Sequence, residues 1–171
     1  PACKGARLKP FTLAVTIDGR SINDFSTISI KDAAAAFAAI ELSERELAAL
    51  RRYLDAGGFL YADDNYGLDA SFRAMVARLY PDAPLAPLPA DHPVFRAYYD
   101  LPGLPKIHKH DGDPAQAFGV TRGGRLVILY TWSSDIGDGL EDPDVHGDPA
   151  PVREAAAKMA VNILMYALTR P

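Results

Sequence analysis

The sequence predicts an α/β domain in three layers, a mainly parallel central sheet with helices on both faces. Three observations carry this. A helix-patterned segment runs directly into an apolar strand across residues 43–62, a second strand over "RLVILYTW" (Arg125–Trp132) is apolar on both faces, and a long apolar helical pattern fills the C-terminal end. The 171 residues suit a single domain over 1–171. A chain of this length buries roughly two thirds or more of its unfolded surface without staples.

In chain order, "FTLAVTI" (Phe11–Ile17) alternates and is followed by "DG", giving a strand and a turn. "KDAAAAFAAI" is alanine-rich and fits a helix of unclear register. In "SERELAALRRYLDAGG", Ser43 and Glu46 make a capping-box pattern, Leu47, Leu50 and Leu54 recur on one face, and Gly57 supplies a left-handed stop. The helix feeds the strand "GFLYA". A second helix follows, with Asp69 as its cap, a buried stripe of Phe72, Met75, Val76 and Leu79, and Pro81 beyond its end. Prolines crowd residues 81–105, which excludes a regular helix or central strand there and predicts an ordered loop that buries Leu85, Leu88, Val94 and Phe95. "AQAFGV", "TRGG" and "RLVILYTW" read as a β-hairpin. An acidic loop over Ser133–Ala150 leads to a final helix from about Pro151 to Leu168, with proline at a natural first position.

Composition removes several functions. The net charge is −4 and no Lys/Arg cluster is present, so a nucleic-acid footprint is not expected. The sole cysteine, Cys3, lies in a polar N-terminal stretch, which disfavours thiol catalysis from the core and a cysteine zinc site. The most apolar stretch, Ala155–Leu168, is too short to span a bilayer and contains Lys158, so no membrane span is expected in this chain. The start at Pro1 fits a processed precursor or a trimmed chain.

Ligand crevices of open α/β sheets lie beyond the carboxyl ends of the strands. Three polar stretches compete for that edge: "ADDN" after the first core strand, "KIHKHDGD" (Lys106–Asp113), and "SSDIGDGLEDPDVHGD" after the second. Asp63 and Asp64 are adjacent on a strand, so they point oppositely. One faces the crevice while the other bonds backbone N–H groups, and Asp64 is the one expected to face it. His108 and His110 are two residues apart, which on an extended segment places both rings on one side, as a chelate requires. The acidic loop lacks calcium-loop spacing, yet its length and its interleaved Ile136, Leu140 and Val145 predict an ordered, anchored segment. The expected ligand-binding set is Asp63, Asp64, Asn65, Tyr66, Trp132, Asp135, Asp138 and Glu141. The expected metal set is His108, His110 and His146, holding a divalent ion, with Asp64, His108, His110, Asp135 and His146 converging on one crevice. No G-x-S-x-G elbow, P-loop or G-x-G-x-x-G is present.

The segments "YLDAGGFLYADDNYG", "DHPVFRAYYDLPGLPKIHKHDG", "GRLVILYTWSSDIGDGLEDPDVHGDP" and "REAAAKMAVNILMYALT" closely resemble the bacterial family known as domain of unknown function 4159. The resemblance covers residues 43–169, and residues 1–42 depart from it. It implies a flavodoxin-like arrangement akin to the ThuA and class I glutamine amidotransferase folds, and an exported or periplasmic setting. In amidotransferases a cysteine nucleophile sits on the elbow that Asp63 and Asp64 occupy here, so acyl-enzyme chemistry is disfavoured. The leading expectation is a domain binding a small polar ligand, polyhydroxylated or cationic, at the acidic and histidine crevice. Metal-dependent hydrolysis at the same crevice and docking of an envelope protein partner are the alternatives.

Overall fold

The computed structural model describes residues 16–17, 19–29, 32, 41–64, 67–108 and 112–169. The chain, expected as one domain, divides into two compact units, Pro1–Ser43 and Glu44–Pro171. In the first, β1 (Thr16–Ile17) pairs antiparallel with β2 (Arg20–Ser21) about Gly19, whose φ of +71° suits a residue without Cβ. Helix α1 (Ile22–Thr27) follows, and Ser21 and Asp24 form its capping box, the Asp24 amide donating to Ser21 Oγ and the Ser21 amide to Asp24 Oδ2. The strand expected over Phe11–Ile17 is seen at Thr16–Ile17, its earlier residues lying outside the described ones. So does nearly all of "KDAAAAFAAI".

The second unit contains α2 (Glu44–Asp55), β3 (Leu60–Asp63), α3 (Asp69–Leu79), β4 (Ala86–Pro87), a 3₁₀ turn (Pro93–Arg96), β5 (Gln116–Arg122), β6 (Arg125–Trp132), a second 3₁₀ turn (Asp138–Leu140), α4 (Pro143–His146) and α5 (Ala150–Thr169). Its four strands run in the order β3-β6-β5-β4. β3 and β6 are parallel neighbours, with Leu60 opposite Ile128 and Asp63 opposite Thr131. β5 is antiparallel to β6, and β4 to β5. The sheet is therefore mixed, and the expectation of a mainly parallel one is corrected. The cause is local: Gly123 and Gly124, at φ +57° and +80°, close a two-residue hairpin that forces β5 back alongside β6. Pro87, unable to donate to a ladder, sits in the outermost strand.

Helices cover both faces, as strand alternation shows. Leu129 packs in a core cluster with Met159, Ile163 and Tyr166 of α5. Its neighbour Tyr130 points the other way, with its ring 4.7 Å from that of Phe72 on α3. On that second face Arg51 of α2 donates to the Leu79 carbonyl at 2.8 Å, tying α2 to α3. Arg125 reaches from the start of β6 to the carbonyls of Leu54 and Gly58, fixing the turn between α2 and β3. Val94 and Phe95 of the proline-rich loop are buried as expected, while Leu85 and Leu88 are half-buried.

Tyr80 marks where α3 ends against α2, its hydroxyl donating to Asp55 Oδ1 at 2.9 Å. Burial, followed by the Asp55 bond, pushes its phenol up to about 12. An unfolded tyrosine titrates near 10, so the contribution of this proton to stability is whole below about pH 10 and lost as pH rises through about 12. Urea titrations at stepped pH are expected to show stability falling across that window, with Tyr80→Phe removing part of the slope. A profile flat from pH 9 to 12 contradicts this.

Candidate functional site

The adjacent carboxylates at the end of β3 are separated by the sheet itself. Asp63, on the α5 side, accepts from Thr131 Oγ1 at 2.5 Å and from the Gly137 amide at 2.7 Å, so it clamps the β6 exit loop to the strand end. Asp64, on the α3 side, is only 5 % exposed. Its Oδ1 accepts the Leu68 amide at 3.1 Å, and its Oδ2 lies 3.2 Å from the Tyr130 hydroxyl. That hydroxyl is equally near Asp69 Oδ1, which Arg73 neutralises at 2.7 Å while its guanidinium lies over the Phe118 ring. Burial, and then Asp64, hold the Tyr130 phenol far above its ordinary range, so it stays a donor. The expectation that Asp64 faces the crevice is thereby corrected. Leu68, just before α3, has no side-chain cap bond of its own, and Asp64 rather than Asp69 supplies the acceptor at this helix start.

The loop leaving β6 is held in unusual backbone geometry. Ser133 and Asp135, neither a glycine, have φ of +55° and +60°. Each such residue costs on the order of 1–3 kcal/mol and persists only where its surroundings impose it. Here the segment leading to His108 is laced to the loop: Ser134 Oγ donates to the Pro105 carbonyl, Lys106 Nζ to Ser133 Oγ, and the Ile107 and His108 amides to the Ser134 carbonyl. Asp135 is 1 % exposed.

This lacing brings His108 to the rest of the acidic loop. One donor atom from each of His108, Asp138 and His146 falls within 4.8 Å of the other two. The two imidazole centroids are 5.6 Å apart. His146 Nε2 is 3.7 Å from Asp138 Oδ1 and 3.1 Å from Glu141 Oε2. Local sequence explains the placement. Asp138 opens the second 3₁₀ turn and is buried there, and His146 ends α4, which starts at Pro143 and stops at Gly147 in the left-handed conformation. Two imidazoles and a carboxylate are the donor set of zinc and its neighbours, and three protein ligands leave a coordination position open.

Of the residues singled out from sequence, His108, His146 and Asp138 come together, with Glu141 beside His146. Asp64 does not join them, being on the other face of the sheet. Trp132, half-buried at the end of β6, pairs with Gln116. Asn65, Tyr66 and His110 lie outside the described residues. The acidic loop is anchored by Ile136, at 1 % exposure, but Leu140 and Val145 are more than half exposed, contrary to expectation. Sequence reasoning missed Thr131 and Tyr61, whose hydroxyls are 3.1 Å apart beside Asp63. The available signal was a threonine inside an otherwise apolar central strand.

Fold and site define a mixed α/β domain that gathers a histidine and carboxylate cluster on loops beyond its central strand. Residues 34–168 match the family described as Domain of unknown function (DUF4159), and the chain belongs to that family. It is also similar over 46 residues to UvrABC system protein A of Methanothermobacter thermautotrophicus, at 50 % identity, covering 27 % of this chain and 5 % of that protein. The same-named proteins of Bacillus subtilis and Halalkalibacterium halodurans are 42 % and 41 % identical over 73 residues, 40 % of this chain and 7 % of theirs. The chain thus spans a small fraction of the length of these curated relatives.

Proposed function

We propose that the second unit binds a divalent transition-metal ion through His108, Asp138 and His146, and that a polar oxygen-bearing ligand or water completes the coordination. The observation that carries this is the approach of three donors, from three separate segments, to within 4.8 Å of one another. Tetrahedral ligands at zinc bond lengths lie about 3.3 Å apart, and the 3.7 Å between His146 and Asp138 needs little adjustment. A carboxylate as buried as Asp138 also gains from a cation that replaces lost hydration. Hydrolysis is a second reading favoured by Glu141, whose position beside His146 suits a base taking a proton from metal-bound water. We also read α2, β3 and α3 beside the parallel β6 as an amidotransferase-like, ThuA-like core in which the acidic pair replaces the nucleophile elbow. The helix–strand–helix order and the parallel β3–β6 pair support this.

Chelator-stripped protein titrated with Zn(II) should bind one ion per chain and melt several degrees higher. Saturation at 100 times Kd is worth about 2.7 kcal/mol. His146→Ala and Asp138→Asn should lose the shift, and Glu141→Gln should keep it. A melting temperature indifferent to zinc, or a shift that survives in the double variant His108→Ala/His146→Ala, ends the metal reading.

A further inference from the structure

A groove of about 430 Å³ runs beside β3 and α5 and is bordered by Ile136, Gly137 and Leu140 of the loop that leaves β6. Its walls are apolar, formed chiefly by Phe59, Tyr61, Ile136, Leu140, Ile163 and Leu164, and among its described lining residues Asp63 alone is charged. The volume lies within the range of small-molecule sites. Solvent is a poor neighbour for these walls. Leu164 is 57 % exposed and Leu140 51 % on the groove rim, and Leu168, one turn beyond Leu164, is 70 % exposed. A helix that is apolar on its outer face as well as its core face is one that something covers.

The polar end of the groove indicates the chemistry of that cover. Asp63 accepts from Thr131 Oγ1 on one oxygen and from the Gly137 amide on the other, with the Tyr61 hydroxyl as a third partner, which fixes the carboxylate in orientation and leaves part of its accepting capacity for a ligand. Tyr61 beside it stays protonated, its phenol pushed far up by burial and then by the charge of Asp63, with buried Asp135 adding to the same negative field. A fixed carboxylate at the end of an apolar trough favours a cation over a neutral donor, since a charge-assisted hydrogen bond is about twice as strong. It repels an anion.

We propose that this groove binds a small amphipathic amine, the apolar body lying against Phe59, Ile136 and Leu164 and the ammonium group donating to Asp63. The site needs no metal and stands independently of the histidine cluster. Three probes of equal length separate the alternatives: hexylamine, hexanol and hexanoate, followed by ligand-observed NMR and calorimetry in the presence of EDTA. Hexylamine should bind about tenfold more tightly than hexanol, and hexanoate least. Leu164→Arg, a change at an exposed position that preserves the fold, should abolish hexylamine binding by putting bulk and a like charge at the rim. Asp63→Asn should bring hexylamine down to the level of hexanol, with circular dichroism reporting whether the clamp on Gly137 survives. The proposal is overturned by absent hexylamine binding, by hexanoate binding as well as hexylamine, or by hexylamine binding unchanged in Leu164→Arg. Sedimentation showing that a second copy of the chain fills the groove, in a dimer that Leu164→Arg dissolves, overturns it equally.

Discussion

Asn162→Ala is expected to destabilise the second unit by about 3–5 kcal/mol, as much as the costliest large-to-small changes in a core such as Leu129→Ala. Asn162 lies on α5 at 0 % exposure and uses its full hydrogen-bonding capacity. Its Oδ1 accepts the Tyr98 and Tyr99 amides at 3.0 and 2.7 Å, and its Nδ2 donates to the Phe95 and Tyr99 carbonyls at 2.8 and 2.9 Å. Alanine leaves the Tyr98 and Tyr99 amides and the Tyr99 carbonyl facing a dry helix, while the Phe95 carbonyl keeps only its bond from the Leu101 amide. Each buried, unsatisfied group costs about 1–3 kcal/mol, and partial hydration of the loop keeps the sum below simple addition. Urea unfolding should show a lower midpoint at unchanged slope. A loss under 1 kcal/mol would mean that the loop rehydrates freely and that the amide is ornamental.

The second large effect is expected at Gly139, where stability and metal binding meet. A Cβ built there comes within 2.8 Å of Ile107 Cγ2 and closer still to the Ala156 methyl. Both neighbours are buried and cannot yield. Gly139→Ala should therefore cost about 1–3 kcal/mol through overpacking. Because Ile107 precedes His108 and Gly139 follows Asp138, the displacement separates two of the proposed ligands. Zinc affinity should fall by about tenfold or more, the range seen when supports of a metal site are disturbed. Adding Ala156→Gly should restore part of the affinity by making room, although glycine within a helix costs about 1 kcal/mol of its own. Unaltered zinc binding in Gly139→Ala would show that the turn does not position Asp138.

Much of this unit is legible in its sequence, wherever the signal is local. Leu47 and Leu54 announced α2, Gly57 its stop, and Gly123–Gly124 the hairpin, because caps, periodicity and turn residues act over a few positions. The hairpin also implied an antiparallel neighbour for β6, a consequence the expected parallel sheet passed over. Asp63 and Asp64 were legible as a pair pointing apart, but which one met the open edge depended on where α3 and α5 lay, and that is decided by packing between segments distant in sequence. The histidines illustrate the same limit. His108 and His146 are far apart along the chain, and what joins them is the Ser134 carbonyl receiving the Ile107 and His108 amides, a contact with no local signature. Asn162 was hidden for the opposite reason: within "AVNILMYAL" it reads as a polar interruption of an apolar helix, and its meaning lies in four backbone groups more than 60 positions earlier.

That asparagine also sets the timescale on which its loop can move. The segment around Tyr98 and Tyr99 has no strand partner and only one 3₁₀ turn, features that ordinarily mark rapid local opening. Yet the amide protons of both tyrosines end on a side chain rooted in the middle of the longest helix. Deuterium exchange at these two surface-loop amides is therefore expected to be slow, because releasing them strips partners from a buried side chain of α5, even though their rings, packed edge to face 4.8 Å apart, stand at the surface.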